Sequence, residues 1–460
     1  MDQAWWNRII YSVADRGREL LNLNTTESPM NQLEHMCQDL LSGAGEARGT
    51  ALAREVVRVM EKLDDRGWGH FLETLHAGYG PDTNRLMMMV EAYRRDPNDK
   101  TLLALRQEVV SPRQELFRRI NLSPGGTQVL VRLREQLLRL LPKKPHLEMV
   151  DADLKDLFTA WFNRGFLELR HIDWRSPALI LEKLINYESV HAIRGWDDLR
   201  RRLEQDRRCY AFFHPALPDE PLIFVEVALM RGIPDQAHSL VDPEAAILDP
   251  KSADSAIFYS INNCQYGLRG ISFGNFLIKQ VTTELQEELP NLKNFATFSP
   301  VPRFAETLKR SDPDAPFNAQ RLRTLLEDQA DVIRRESGKR DLVEGFFALL
   351  REPERARLHL AAALEILVLA YLVQVRRGKL ILDPVALFHL ANGARLERIN
   401  PLGDTSVERW EASYGVMVNY LYKPEQLERN HERFIEEGKV TLSRQLTRKL
   451  GPVKNAWKAP

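Results

Sequence analysis

The apolar residues of this 460-residue chain change their period near residue 170, and that change limits what the chain can fold into. Upstream, apolar side chains recur about every 3.6 residues with charges between them. Leu33, Met36, Cys37, Leu40 and Leu41 make one stripe, and Leu52, Val56, Val59, Met60 and Leu63 a second. Leu130, Leu133, Leu137, Leu140 and Leu141 make a third. Such stripes predict amphipathic helices, and no alternation of period two interrupts them. Ser111-Pro112-Arg113-Gln114 predicts a helix start, with Ser111 as N-cap, Pro112 in the first turn and Gln114 reaching back to complete a capping box. Breaks are expected at Gly43-Ala44-Gly45, Gly78-Tyr79-Gly80-Pro81 and Ser123-Pro124-Gly125-Gly126. The run Met87-Met88-Met89 is expected to pack in the core. Pro142-Lys143-Lys144-Pro145 bars helix continuation and keeps the segment wet, so it serves as a linker. The expected division is a helical domain over 1–145 and a second domain over 146–460.

The second part mixes the two periods. Residues 209–214, 222–230, 255–262, 294–298, 394–399 and 413–422 are rich in strand formers. Helices are predicted from Ser176-Pro177 to Tyr187, over 275–289, 384–390 and 424–436, and in a long insertion at 318–375. This half is therefore α/β or α+β.

Charge and cysteine use exclude several functions. Lys+Arg and Asp+Glu both number 64, so the basic excess of a polyanion binder is missing and no nucleic-acid partner is expected. A local basic pocket for one phosphorylated ligand is compatible with this balance. Cys37, Cys209 and Cys264 are far apart and odd in number, which predicts neither a disulfide framework nor a structural metal. The most apolar run, Ile366 to Val373, is too short to span a bilayer, which needs about 20 residues. The first twenty residues carry Asp2 and Asp15 and lack the continuous apolar core of a secretory signal. A cytoplasmic protein with no membrane partner is expected.

Three segments could carry chemistry. Gln265–Asn275 holds three glycines between a predicted strand and a predicted helix, so backbone N–H groups can approach an anion such as a pyrophosphate. Arg269 and Lys279 could add charge. The spacing fits neither G-x-G-x-x-G nor the P-loop, and an ordinary glycine turn reads equally well. Ser299 lies at a predicted strand end in Thr297-Phe298-Ser299-Pro300, without the flanking glycines of a nucleophile elbow, and a turn or capping serine is the plain alternative. His389 falls in the last turn of a short helix that Asp383-Pro384 starts and Gly393 stops. That position favours a protonated imidazole, which suits a general acid; a structural histidine is the alternative. His171, His191, His214 and His238 form no ligand spacing, and Arg200-Arg201-Arg202 reads as a solvated helix face.

The stretch from Tyr259 to Phe304 (YSINNCQYGLRGISFGNFLIKQVTTELQEELPNLKNFATFSPVPRF) resembles the central block of malonyl-CoA decarboxylases. Phe388–Asn400 (FHLANGARLERIN) and Ser413–Tyr422 (SYGVMVNYLY) resemble that family's C-terminal blocks. Ser111–Asn121, Trp161–Arg170, Val190-His191 and Arg207–Tyr210 add shorter matches, so the likeness covers essentially the whole chain. The resemblance implies an α+β protein: a helical N-terminal domain used in homo-oligomer contacts, then a GNAT-like acyltransferase-fold catalytic domain with a helical insertion. It implies that Arg269, Gly270, Ile271, Ser272, Phe273, Gly274 and Asn275 hold the CoA pyrophosphate. It puts the catalytic serine at Ser299 and the catalytic histidine at His389, with Asn419 and Tyr420 as further pocket-lining candidates. Two positions depart from the family pattern. Ser272 stands where animal members have an acidic residue, and Arg303 replaces the glycine usual in SPxPGF. The implied reaction turns malonyl-CoA into acetyl-CoA and CO2 with no metal or organic cofactor, the CoA thioester being the substrate. A CoA-dependent N-acyltransferase on the same fold and a non-catalytic acyl-CoA-binding regulator are the rival readings.

Overall fold

The structure, a computed structural model, describes residues 28–458 apart from 44, 272–276, 311, 313 and 379. The chain divides into two compact units. One comprises the residues up to Glu168 with 212–222 and 263–274; the other comprises 169–211, 223–262 and the chain from 275 onward.

The first unit is helical, as the stripes require. Its helices are Pro29–Leu41, Glu46–Met60, Asp65–Gly78, Thr83–Arg95, Asp99–Val109, Pro112–Asn121, Gly126–Leu140 and Glu148–Trp161. Leu33, Met36, Cys37 and Leu40 are buried from the first stripe, Leu52, Val56, Val59 and Met60 from the second, and Leu130, Leu133 and Leu137 from the third. Trp68, Phe71, Leu72 and Leu75 of Asp65–Gly78 join this core. Ser28, Asp64, Asp82 and Asn98 each accept a backbone N–H in the first turn of the helix they start, which satisfies donors the helix cannot.

Two expectations for this unit fail. Ser111 is the N-cap of Pro112–Asn121, but its side chain makes no cap bond. Its hydroxyl donates instead to the carboxylate of Asp153 at 2.7 Å, and Gln114 Nε2 donates to the same carboxylate at 2.6 Å. Arg113 pairs with Asp153 as well. A buried carboxylate recruits every donor in reach, and that demand outweighs the local capping box. Met87 and Met88 are not core: they are 54% and 65% exposed. Thr83–Arg95 and Asp99–Val109 bury no residue and pack chiefly on each other, so no second layer among the described residues covers the methionines.

The second unit carries the sheet, apart from the strand-end residues Glu168, Phe212, Phe213 and Asn263, which fall in the first. Its strands are β1 (Glu168–Ile172), β2 (Arg207–Phe213), β3 (Ile223–Met230), β4 (Ser255–Asn263), β5 (Asn294–Thr297) and β6 (Ser299–Pro300), then β7 (Arg376–Arg377), β8 (Leu380–Ile381), β9 (Arg395–Asn400) and β10 (Met417–Tyr422). The main order is β1-β2-β3-β4-β5-β10-β6, with β9 also paired to β10; β7 and β8 form a separate hairpin. β4 and β5 run parallel from Ser255↔Asn294 to Phe258↔Thr297, joined through the helix Leu277–Glu288 as a parallel pair requires. β4 continues to Asn263 beyond the last residue it pairs with β5.

The expected helical insertion is present as Ala319–Leu326, Ala330–Ser337, Leu342–Leu350, Pro353–His359 and Ala361–Gln374. The last of these contains Ile366–Val373 and is buried around most of its circumference, which explains a continuous apolar run in a core helix. No single helix among the described residues is long and apolar enough to cross a membrane. The strand expected over 413–422 is shorter. Ser413 ends a helix, Val407–Ser413, and Tyr414 and Gly415 turn with φ of 53° and 76° before β10 begins at Met417. A helical N-terminal region followed by a mixed sheet makes the α+β architecture that the sequence predicts.

Candidate active site

Ser299 is positioned by strand pairing. β10 pairs antiparallel with β5 at Leu421↔Ala296 and with β6 at Val418↔Ser299, so one strand bridges the break at Phe298 and fixes the serine. His389 is positioned by a helix, Pro384–Ala391. The buried Asp383 carboxylate caps it, accepting the N–H groups of Val385 and Ala386 at 3.0 Å. Gly393 closes the turn after it with φ of 79°, and a Cβ there would stand 2.2 Å from the carbonyl oxygen of Leu427. Only glycine fits, and the close approach ties the helix end to Leu427.

The two elements bring Ser299 and His389 together. Ser299 Oγ lies 3.0 Å from His389 Nε2, and both residues are buried. Tyr422 Oη lies 2.7 Å from the other ring nitrogen, Nδ1. Ser299 Oγ also lies 2.8 Å from Thr297 Oγ1, which accepts the backbone N–H of Tyr420 at 3.2 Å. One direction is consistent with all three contacts: Tyr422 O–H donates to Nδ1, Nε2–H donates to Ser299, and the serine hydroxyl donates to Thr297. The Tyr420 ring stacks on the imidazole with centroids 4.5 Å apart and planes at 27°. Its hydroxyl, fully buried, has no hydrogen-bond partner among the described residues.

The charge state departs from expectation. The helix end predicts an imidazolium, but burial pushes His389 down to about 3. Desolvation outweighs the helix terminus because neither ring nitrogen has an anionic partner; both face hydroxyls. His389 is therefore a neutral imidazole. Burial also raises the Tyr422 and Tyr420 hydroxyls well above their usual range, so both keep their protons. The Asp383 carboxyl is pushed up to about 6 by burial, against the backbone N–H groups that favour its charged form.

The glycine segment is described as far as Ile271; Ser272, Phe273, Gly274 and Asn275 lie outside the described residues. A single turn, Tyr266–Leu268, leads into it. The buried Arg134 of Gly126–Leu140 donates from Nη1 to the carbonyls of Gly267 at 2.7 Å and Arg269 at 2.9 Å, and pairs through Nε with Asp151 at 2.8 Å. Gly267 has no room for a Cβ, which would meet the Val131 carbonyl at 2.0 Å, and Gly270 has φ of 79°. The Arg269 guanidinium lies 5.8 Å from the centre of the Tyr266 ring, and Lys279 faces Glu428 at 3.8 Å.

Asn419 is buried with its amide committed to the fold. It donates to the Thr297 carbonyl at 2.8 Å and accepts from Asn400 at 2.8 Å and Arg398 at 3.1 Å. Arg303 faces solvent and pairs with Glu306 at 3.4 Å. The run Arg200-Arg201-Arg202 is not a solvated face. Arg201 pairs with Asp206 at 2.7 Å and Arg202 with Glu226 at 2.9 Å, and all four are buried. Among the described residues no group of three His, Cys, Asp or Glu side chains could hold a metal ion. The sequence reading missed Tyr422 and Thr297. The strand period of two carried a signal for both, because Tyr422 shares a face with Tyr420, and Thr297 with Ser299.

Fold and site together define an α+β protein whose sheet and one capped helix present a buried tyrosine–histidine–serine chain. The family model described as "Malonyl-CoA decarboxylase C-terminal domain" matches residues 165–459, and "Malonyl-CoA decarboxylase N-terminal domain" matches 79–162. A relative named "Malonyl-CoA decarboxylase, mitochondrial", from Anser anser anser, is 34% identical over 400 residues, 82% of this chain and 78% of its own length. The crystal structure of malonyl-CoA decarboxylase from Rhodopseudomonas palustris is 44% identical with a TM-score of 0.81, covering 92% of this chain and 100% of that one. That from Agrobacterium vitis is 43% identical with a TM-score of 0.79, covering 91% and 99%. The chain belongs to the malonyl-CoA decarboxylase family.

Proposed function

We propose that this protein decarboxylates malonyl-CoA to acetyl-CoA at Ser299 and His389. The observation that carries the reading is the buried Tyr422–His389–Ser299 chain in a member of this family. Breaking the bond between C2 and the carboxyl carbon releases CO2 and leaves its electron pair on C2. The thioester carbonyl delocalises that pair as an enolate, so the substrate is its own electron sink. A proton then adds at C2, and one proton is consumed per turnover. The protein must orient the malonyl group and stabilise charge as it moves.

Ser299 orients the malonyl group by hydrogen bonding, and His389 delivers the proton. The neutral imidazole is suited to this once substrate is bound. A malonyl carboxylate beside it supplies the negative charge that the buried ring lacks, which favours the imidazolium. Loss of CO2 moves that charge to the enolate oxygen, and His389 returns to neutral by protonating C2. Arg269–Asn275 takes the CoA pyrophosphate on backbone N–H groups, and the helical region makes the homo-oligomer contacts. Cys37, Cys209 and Cys264 are buried and form no disulfide among the described residues, which suits a reducing, cytoplasmic setting.

The test is CO2 release from malonyl-CoA with no second substrate. Turnover is the expected result. Turnover only after an amine is added would indicate an N-acyltransferase, and binding without turnover a regulator; either overturns the reading.

A further inference from the structure

We propose that a cleft separate from Ser299 and His389 binds a ligand of the nucleoside diphosphate class. The cleft encloses about 800 Å³ between the helices Leu342–Leu350 and Val407–Ser413. That volume lies in the range of small-molecule sites, roughly 300–1,000 Å³. None of its lining residues belongs to Gln265–Asn275, and neither Ser299 nor His389 borders it.

Its lining combines aromatic faces with cations. Trp410 and Tyr414 form one wall, in edge contact with centroids 5.9 Å apart; Tyr414 is buried, so the half-buried Trp410 ring, with the Arg357 guanidinium 5.3 Å from its centre, is the ring surface left to a base. Lys309, Lys339 and Arg351 supply three positive charges against two carboxylates, Glu344 and Glu411. Lys339 and Arg351 make no ion pair among the described residues, and both are exposed. Lys309 stands 5.6 Å from the centre of the Tyr414 ring, which sets a cation beside an aromatic surface. Tyr414 holds its ring there from a left-handed backbone, φ 53°, a conformation that disfavours a non-glycine residue.

These features select the ligand class. A planar base gains from stacking on the Trp410 ring. A diphosphate carries enough charge to engage Arg351, whose fork matches phosphate geometry, and Lys339 and Lys309 as point charges. An uncharged aromatic would leave the cations unused. A bare inorganic anion would leave the rings unused and would meet Glu344 and Glu411 without compensation.

The probe is ADP, titrated calorimetrically into the full-length protein already saturated with CoA. One ADP per chain should still bind, and the double variant Lys339→Ala/Arg351→Ala should weaken it at least tenfold. The same variant should keep its melting temperature and its KM and kcat for malonyl-CoA. Inorganic pyrophosphate should bind at least tenfold more weakly than ADP. The proposal is overturned if saturating CoA abolishes ADP binding, if the variant binds ADP as the parent does, or if pyrophosphate binds as tightly as ADP.

Discussion

The Tyr422 hydroxyl oxygen and His389 Nδ1 are 2.7 Å apart, at the ring nitrogen that Ser299 does not use. This bond sets the tautomer: a phenol that keeps its proton donates to Nδ1, which leaves the hydrogen on Nε2, toward Ser299. Tyr422→Phe should free the imidazole to rotate and to exchange tautomers. Losing one partner of a buried hydrogen bond costs about 1–3 kcal/mol, so kcat should fall by about 5–150-fold with a smaller change in KM. Steady-state kinetics checks this, and an unchanged kcat would remove Tyr422 from the chain.

Tyr420 should behave differently, although it lies only two residues away. Its ring stacks on His389, but its buried hydroxyl has no partner among the described residues. Tyr420→Phe keeps the stack and removes a desolvated group without a partner. Thermal unfolding of the free enzyme should show an equal or higher melting temperature. A clear drop would mean that the hydroxyl is bonded in solution.

The neutral state of His389 predicts a pH signature. Its folded value of about 3 lies below the ordinary 6.5. Between the two, the unfolded chain binds a proton that the folded chain refuses, so His389 subtracts stability as pH falls from 6.5 toward 3. His389→Asn should therefore lose stability less steeply than the parent, by about 1.4 kcal/mol per pH unit near pH 4–6. His191, held near 4, and the buried carboxyls Glu226, near 7, and Asp383, near 6, titrate in both proteins and largely cancel in the difference. Urea unfolding at a series of pH values measures it; parallel pH slopes would show that His389 is charged in the folded protein.

The parts of this molecule legible in its sequence are those set by local period. The stripes at Leu33–Leu40 and Leu130–Leu137 announce helices because each needs only one buried face. Residues governed by distant partners were not legible. Ser111 looks like an ordinary cap until Asp153, 42 residues on, claims its hydroxyl. Arg202 looks solvated until Glu226, 24 residues on, draws it into the core. His389 could be located from its motif and its helix, but its charge follows from complete burial, which no local pattern encodes. Met87 and Met88 failed in the opposite sense, since hydrophobicity alone does not say whether a second layer exists to cover it.

Asp153 offers a test of the helical unit independent of catalysis. It gathers Ser111, Arg113 and Gln114 at the start of Pro112–Asn121, and it and Arg113 are buried. Asp153→Ala leaves a buried guanidinium without its counter-charge, which typically costs about 3–5 kcal/mol. Chemical denaturation should show a loss of that size. A loss below about 1 kcal/mol would mean that water replaces the carboxylate.

Ser299 and His389 should act as one device, because a single hydrogen bond of 3.0 Å joins them and both are buried. A general acid typically contributes about 10²–10⁴-fold, so His389→Asn should lower kcat within that range and disturb substrate binding less. Ser299→Ala should also slow turnover, since the malonyl group loses a bond that orients it. If the serine positions the group that the histidine protonates, removing either disables the other. The double variant should then fall well short of the product of the two single losses, as expected for residues that act as a unit. Independent roles predict multiplication, and a purely structural His389 predicts a lower melting temperature with near-normal kcat in the folded fraction. Measuring kcat and thermal stability on the same preparations of the parent and the three variants separates these outcomes. Strict multiplication would break the proposed coupling between Ser299 and His389, and a stable His389→Asn enzyme with normal kcat would end the acid role.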